Sequence, residues 1–206
     1  MHDTKGGAGP DRRCLFEIAS GQAGYFTAQQ ARNCGYSRSL LSHHVKGGRF
    51  VRVRHGLYRL TEYPASRREE IIAAWLSAGA DNAVISHESA LDLLDLSDVV
   101  PGSIHLTVPR SERWRKRVPG TTLHTTTKPL AQDEIVIRDG LPVTAPARTI
   151  IDAAASGIGP EQITAAIAAA LQRGMTTRAQ LLKAAQESGR RAKSLIRRGM
   201  EEADSE

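Results

Sequence analysis

FTAQQARNCGYSRSLLSHHVKGGRFVRVRHGLYRL, residues 26–60, is the stretch on which the fold turns. Thr27 with Gln30 three positions on has the spacing of a capping box, which opens a helix by satisfying its first free N–H groups. Ala31 is small enough for two helices to approach closely, and Gly35 supplies the positive φ of a tight turn. Ser37 caps a second helix, with Leu41 and Val45 on its inward side. Phe50 to Arg54 then alternates Val51 and Val53 with Arg52 and Arg54, as in a strand with one buried face. His55-Gly56 makes the turn, and Leu57 to Leu60 returns. Helix, turn, helix and ribbon in this order are expected to form a winged helix-turn-helix, which places one helix in the major groove of DNA and a wing beside it. Arg52, Arg54 and Arg59 are expected to line an exposed face, since three unpaired arginines are not buried together.

Working outward, residues 1–10 are rich in glycine and polar residues, and are expected to be disordered. A helix over Asp11 to Ala19 places Leu15, Ile18 and Ala19 on one face. Beyond Pro64 a helix is expected from Ser66 to Ala78, then a short buried strand at Ala83 to Ile85 and a helix from Ser86 to Leu94. Strands follow at 104–108, 122–126, 135–137 and 141–143, separated by turns such as Pro119-Gly120 and Asp139-Gly140. Pro146 and Pro160 sit where helices begin, Gly174 where one stops, and Thr177 caps the next. The expected class is α+β: a winged helix-turn-helix over 11–64, a larger mixed α/β domain over 65–188, and a charged tail over 189–206 that is either an amphipathic helix on Leu195, Ile196 and Met200 or disordered.

Charge supports this division. The chain of 206 residues carries a net +6. Residues 1–64 hold ten Lys/Arg against four Asp/Glu, whereas residues 65–206 hold eighteen of each. The whole excess lies on the segment with the helix-turn-helix pattern, as phosphate binding requires. No apolar run approaches the length of a membrane span, and the N-terminus lacks the apolar core of a secretory signal. Cys14 and Cys34, without a CxxC, are expected to be separate core thiols in a reducing cytoplasm.

The exposed side of the second helix offers Arg38, Ser39, Ser42, His43 and Lys46. Arg38 lies in the first turn, where a recognition helix meets base edges, and arginine can bind guanine bidentately. Lys46, Arg49, Arg52, Arg54, His55 and Arg59 are assigned to the phosphate backbone, where they add affinity without sequence information. A merely solvated basic face is the plainer alternative. One such unit reads few base pairs, so specific binding calls for repeated half-sites.

Elsewhere the chemistry is sparse. There is no P-loop, dinucleotide fingerprint, kinase signature or HExxH. His43 and His44 are adjacent and cannot face one ion together, and His87, His105 and His124 have no ligand spacing, so all are expected to be structural or surface histidines. No metal ligand, catalytic residue or cofactor is assigned. Ser86-His87-Glu88-Ser89 is taken as helix capping. The basic run around Trp114, with Arg110, Arg113, Arg115 and Arg117, is either a solvated loop or a contact for an acidic partner. Arg148 and Asp152, four apart on a helix, are expected to pair.

The chain resembles the AbiEi-type antitoxins, in their actinobacterial form. The resemblance is carried by GYFTAQQARNCGYSRSLLSHHVKGGRFVRVRHGLYRL, ISHESALDLLDLSDV, IHLTVP and LPVTAPARTIIDAA, in family order over Gly24 to Ala155. It implies a transcriptional regulator paired with a nucleotidyltransferase-like toxin. The N-terminal domain of such proteins binds inverted repeats in double-stranded promoter DNA of its own operon, and the C-terminal domain neutralises the toxin by direct binding, indirect antagonism or covalent modification. Two alternatives stand beside this expectation. One is a Mg²⁺-dependent phosphotransferase acting on the toxin, with Asp133, Glu134 and Asp152 as carboxylate ligands. The other is a ligand-sensing transcription factor.

Overall fold

The structure is a computed structural model that describes residues 9–113 and 118–203. It is a mixed α+β chain with helices and two sheets. It divides into two compact units, Met1–Gly79 and Ala80–Glu206. The helix expected to open the second part therefore lies with the first, on the far side of the boundary set at 64. That shift leaves the charge split intact, because residues 65–79 add two arginines and two glutamates. The expected disorder of the N-terminus falls mostly on residues 1–8, outside the described residues.

The first unit opens with α1 (Arg12–Ser20), whose N-cap Asp11 accepts from the Cys14 N–H. Strand β1 (Tyr25–Thr27) leads directly into α2 (Ala28–Asn33). Thr27 and Gln30 form the capping box: the hydroxyl accepts from the Gln30 N–H at 3.1 Å, and Gln30 Oε1 accepts from the Thr27 N–H at 2.8 Å. The buried Gln22 completes this corner, exchanging side-chain hydrogen bonds with Gln30 and donating to the Tyr25 carbonyl. Gly35, at φ 83°, turns the chain into α3 (Arg38–Lys46), whose N-cap Ser37 accepts from the Leu40 N–H. Strands β2 (Phe50–Arg54) and β3 (Leu57–Leu60) form the ribbon, and β3 also pairs with β1, giving a three-stranded sheet of order β1-β3-β2. Three residues are too few to show strand alternation, so β1 was not legible in the sequence.

Leu15, Ala19, Phe26, Ala31, Cys34, Tyr36, Leu41 and Phe50 make the core of this unit. Phe26 is the hub: its ring meets Phe50 edge-on at 5.0 Å and stacks on Tyr58 at 5.7 Å. Gly24 has φ 84°, and a Cβ there would lie 2.5 Å from Tyr63 Cβ, so only glycine fits. Cys14 and Cys34 are joined in a disulfide with Cα atoms 5.8 Å apart. This corrects the expectation of two separate thiols: α1 and the end of α2 cross close enough for a bond. Helix α4 (Glu69–Gly79) packs against β1 and β3 and buries Ile72, Trp75 and Leu76.

The second unit is built on a five-stranded mixed sheet. Its elements run β4 (Val84–Ile85), α5 (His87–Leu93), β5 (Ile104–Pro109), β6 (Thr121–Thr126), β7 (Ile135–Arg138) and β8 (Leu141–Thr144), with strand order β6-β5-β4-β8-β7. Strands β5 and β6 run parallel, β4 lies parallel to β8, and the other neighbours are antiparallel. Helices α6 (Pro146–Ser156), α7 (Pro160–Gln172), α8 (Arg178–Gln186) and α9 (Arg190–Glu202) follow. Ile150, Ile163, Ile167, Leu181 and Ile196 are fully buried among them. Helix α9 is the charged tail resolved as an amphipathic helix: Ala192, Ile196 and Met200 are buried, and Gly199 passes so close to α7 that a Cβ would lie 2.7 Å from Ile167 Cδ1. Among the described residues no helix is long and apolar enough to cross a membrane.

Candidate nucleic-acid interface

Helix α3 is amphipathic in the simplest way. Leu41 and His44 are buried, while Arg38, Ser39, Ser42, His43 and Lys46 are exposed, as is Arg49 just beyond the helix. His44 serves as a core aromatic, with its ring 4.9 Å from Phe50 and 5.8 Å from Tyr36. Burial holds its pKa below the ordinary value, so it packs as a neutral ring. Ser39 Oγ lies 2.8 Å from the capping Ser37 Oγ, at the start of the exposed face.

The ribbon differs from the expectation. Register sets Arg52 opposite Tyr58, and sets Val51 and Tyr25 opposite Arg59. Opposed residues share a face and faces alternate along a strand, so Arg52 and Arg59 project to opposite sides. Arg52 is exposed, with a guanidinium nitrogen 3.2 Å from His55 Nδ1 at the turn. Arg59 instead pairs with Glu69 at 2.9 Å, donates to the Tyr63 and Pro64 carbonyls, and lies 5.7 Å from the centre of the Tyr25 ring. It is a structural residue, not part of an exposed basic row. Val51 and Val53, expected on the buried face, are exposed: alternation turns Val51 away from the face on which Phe50 and Tyr58 pack against Phe26, and Val53 lies at the register shift. The register shifts between Arg52 and Arg54, and Arg54 is half-buried with one guanidinium nitrogen that meets no partner among the described residues. The shift breaks the strict alternation from which its exposure was expected.

Arg32, on the exposed side of α2, was not singled out from the sequence. It is hydrogen-bonded to Gln29 and stands with the exposed Gln29 and Asn33 on that helix. Its only sequence signal was a basic residue one turn before the hinge glycine.

In the second unit, Arg110 and Arg113 lie in and just after a single 3-10 turn, Arg110–Glu112. Trp114, Arg115 and Arg117 lie outside the described residues. Arg148 binds Asp152 with Nε at 2.8 and 2.9 Å, as expected, and also Glu134 through Nη1 at 2.8 Å. Burial keeps the Asp152 pKa above the usual carboxylate value despite this pairing. A guanidinium thus occupies the space between two of the three carboxylates considered as Mg²⁺ ligands, and Asp133 does not join them in a ligand cluster among the described residues.

The histidines set aside for want of spacing are brought together. His87, His105 and His124 each place a ring nitrogen within 4.8 Å of the others. They come from α5, β5 and β6, so no linear spacing marks them. Ser86 is not the side-chain cap expected of it: its hydroxyl lies 2.9 Å from His87 Nδ1 and accepts from Thr107 Oγ1 at 2.8 Å.

Residues 15–61 match the model of a family described as the transcriptional regulator, AbiEi antitoxin, which bears out the resemblance seen in the sequence. The match spans Leu15 to Thr61, the stretch from α1 to the end of the ribbon. The fold is similar to that in the crystal structure of the RV2827C protein from Mycobacterium tuberculosis, with a TM-score of 0.56 at 18% identity, covering 93% of this chain and 80% of that one. No curated protein matches the chain.

Proposed function

We propose that this protein is an antitoxin and transcriptional autorepressor whose first unit is a winged helix-turn-helix reading promoter DNA. The observation that carries this is the coincidence of three things on one segment: the AbiEi match over 15–61, the chain's entire excess of positive charge, and exposed basic residues both on α3 and, as Arg52 and His55, at the ribbon turn. In this reading Arg38 contacts base edges, with Ser39, Ser42 and His43 beside it. Lys46, Arg49, Arg52, Arg54 and His55 hold the phosphate backbone. Arg59 holds the wing in place instead of touching DNA.

The second unit neutralises a nucleotidyltransferase-like toxin in the cytoplasm, and Arg110, Arg113, Trp114, Arg115 and Arg117 are the proposed toxin contacts. The support is the family match together with a neutral, separately packed α+β unit that the DNA reader does not require.

Electrophoretic mobility shift on the operon's own promoter at physiological salt tests the first half. R38A and R52A should each need more protein than wild type to shift the promoter; equal affinities for all three would remove α3 and the wing from the interface. Co-expression with the product of the neighbouring gene tests the second half: growth rescued by the full chain supports an antitoxin, and toxicity unchanged by it overturns that role.

A further inference from the structure

Three histidines distant in sequence meet on one face of the five-stranded sheet. His105 on β5 lies opposite Thr122, and His124 on β6 lies opposite Thr107, in parallel register. Strand alternation then puts both histidines on the same face. His87 opens α5 immediately after β4, and its ring stacks on His124 with centroids 3.4 Å apart and planes inclined 13°. His105 Nδ1 lies 3.1 Å from His124 Nε2. Two imidazole nitrogens at that distance either share one proton-bearing hydrogen bond or direct both lone pairs at a common ion.

Two of the other ring nitrogens have polar neighbours. His87 Nδ1 has the Ser86 hydroxyl at 2.9 Å, and His105 Nε2 faces a Glu88 carboxylate oxygen at 3.9 Å. Such outer partners fix ring orientation and tautomer, and a carboxylate behind a histidine raises its basicity as a ligand. His87 also sits at φ 53°, a left-handed conformation that is costly for a side-chain-bearing residue and is retained where the surroundings demand it. His87 and His105 are buried, while His124 on the edge strand is partly open to solvent and gives a route in.

We infer that His87, His105 and His124 form a binding site for one divalent transition-metal ion of the Zn²⁺ type, with a fourth coordination position left open. Imidazole donors suit zinc, copper, iron and nickel, and do not suit the hard ions Mg²⁺ and Ca²⁺. Tetrahedral zinc with Zn–N bonds of about 2.0–2.1 Å needs nitrogens roughly 3.3 Å apart. The His105–His124 pair, at 3.1 Å, is close to this, whereas His87, whose lone pairs run parallel to those of His124 in the stack, must turn out of the stack to aim at the same ion. Glu88 supplies negative charge behind the set. An ion here ties the edge strand β6 to β5 and to the start of α5.

Isothermal titration of the full, metal-stripped chain with ZnCl₂ is the test, with thermal denaturation of the same samples. One Zn²⁺ should bind per chain and raise the Tm, and H124Q should lose both effects while H43Q and H55Q keep them. X-ray absorption on the wild-type zinc form reads the ligands without any variant and should find three imidazole nitrogens. No binding by wild type, binding undiminished in H124Q, or a zinc shell with fewer than three imidazoles would each overturn the site.

Discussion

Arg59 on β3 and Glu69 at the start of α4 form an ion pair at 2.9 Å that ties the ribbon to the following helix. Both side chains are largely covered, and Glu69 Oε1 also accepts from the Ser66 N–H at 3.1 Å. One residue that looks like a DNA contact in the sequence is thus a strut. Arg52, on the opposite face of the ribbon, is exposed.

Arg59→Ala and Arg52→Ala should therefore separate stability from binding. Arg59→Ala removes the ion pair and two hydrogen bonds to backbone carbonyls, at a cost of about 2 kcal/mol in chemical denaturation. Arg52→Ala should change stability by less than ~0.5 kcal/mol. It should weaken all DNA sequences alike and reduce the slope of log affinity against log salt by about one contact.

Arg38→Ala should behave differently from Arg52→Ala. Lying in the exposed first turn of α3, it should lose discrimination between operator and scrambled DNA by about 1–3 kcal/mol, if it reads a base as proposed. Competition binding against the two DNAs measures this directly, and an equal loss on both would reassign Arg38 to the backbone.

The disulfide between Cys14 and Cys34 closes a loop with a sequence separation of 20. Removing that constraint on the unfolded chain costs about 3 kcal/mol. Cys34→Ser, or wild type in excess dithiothreitol, should show a lower Tm for the first unit by calorimetry. The reduced unit should still fold, since Leu15, Phe26, Leu41 and Phe50 supply a core that does not depend on the bond.

Glu69 predicts the acid response. The Ser66 backbone N–H, with help from Arg59 and Tyr25, holds its carboxyl below the ordinary value of 4.5. A depressed folded-state pKa means that the stabilisation is fully present above the unfolded value and is lost as pH falls through the folded one. Denaturation midpoints measured from pH 7 downward should therefore fall more steeply below the usual carboxylate range for wild type than for Glu69→Gln. Parallel curves would show that the interaction does not favour the charged form.

Arg148→Ala should destabilise the second unit by about 3 kcal/mol, because it leaves Asp152 and Glu134 facing each other without their shared cation. Arg148→Lys should recover only part of this, since an ammonium does not reproduce the fork that meets Asp152 through Nε and Glu134 through Nη1. Chemical denaturation of both variants checks the order.

Local chemistry was legible in the sequence because it acts over three or four residues. The Thr27–Gln30 box, the Ser37 cap, the Gly35 turn and the Arg148–Asp152 pair each lie within one helical turn or hinge, and the structure forms all of them. So did the order of the principal strands and helices, and the confinement of excess charge to one unit, which is a sum over composition. What the sequence left undetermined was which residues meet across elements. The short β1 sets the register that turns Arg59 away from Arg52, the crossing of α1 and α2 bonds Cys14 to Cys34, and the parallel pairing of β5 with β6 brings His105 and His124 beside His87. Those pairings join residues tens of positions apart, and their partners are fixed by sheet register and helix packing, which no spacing along the chain records.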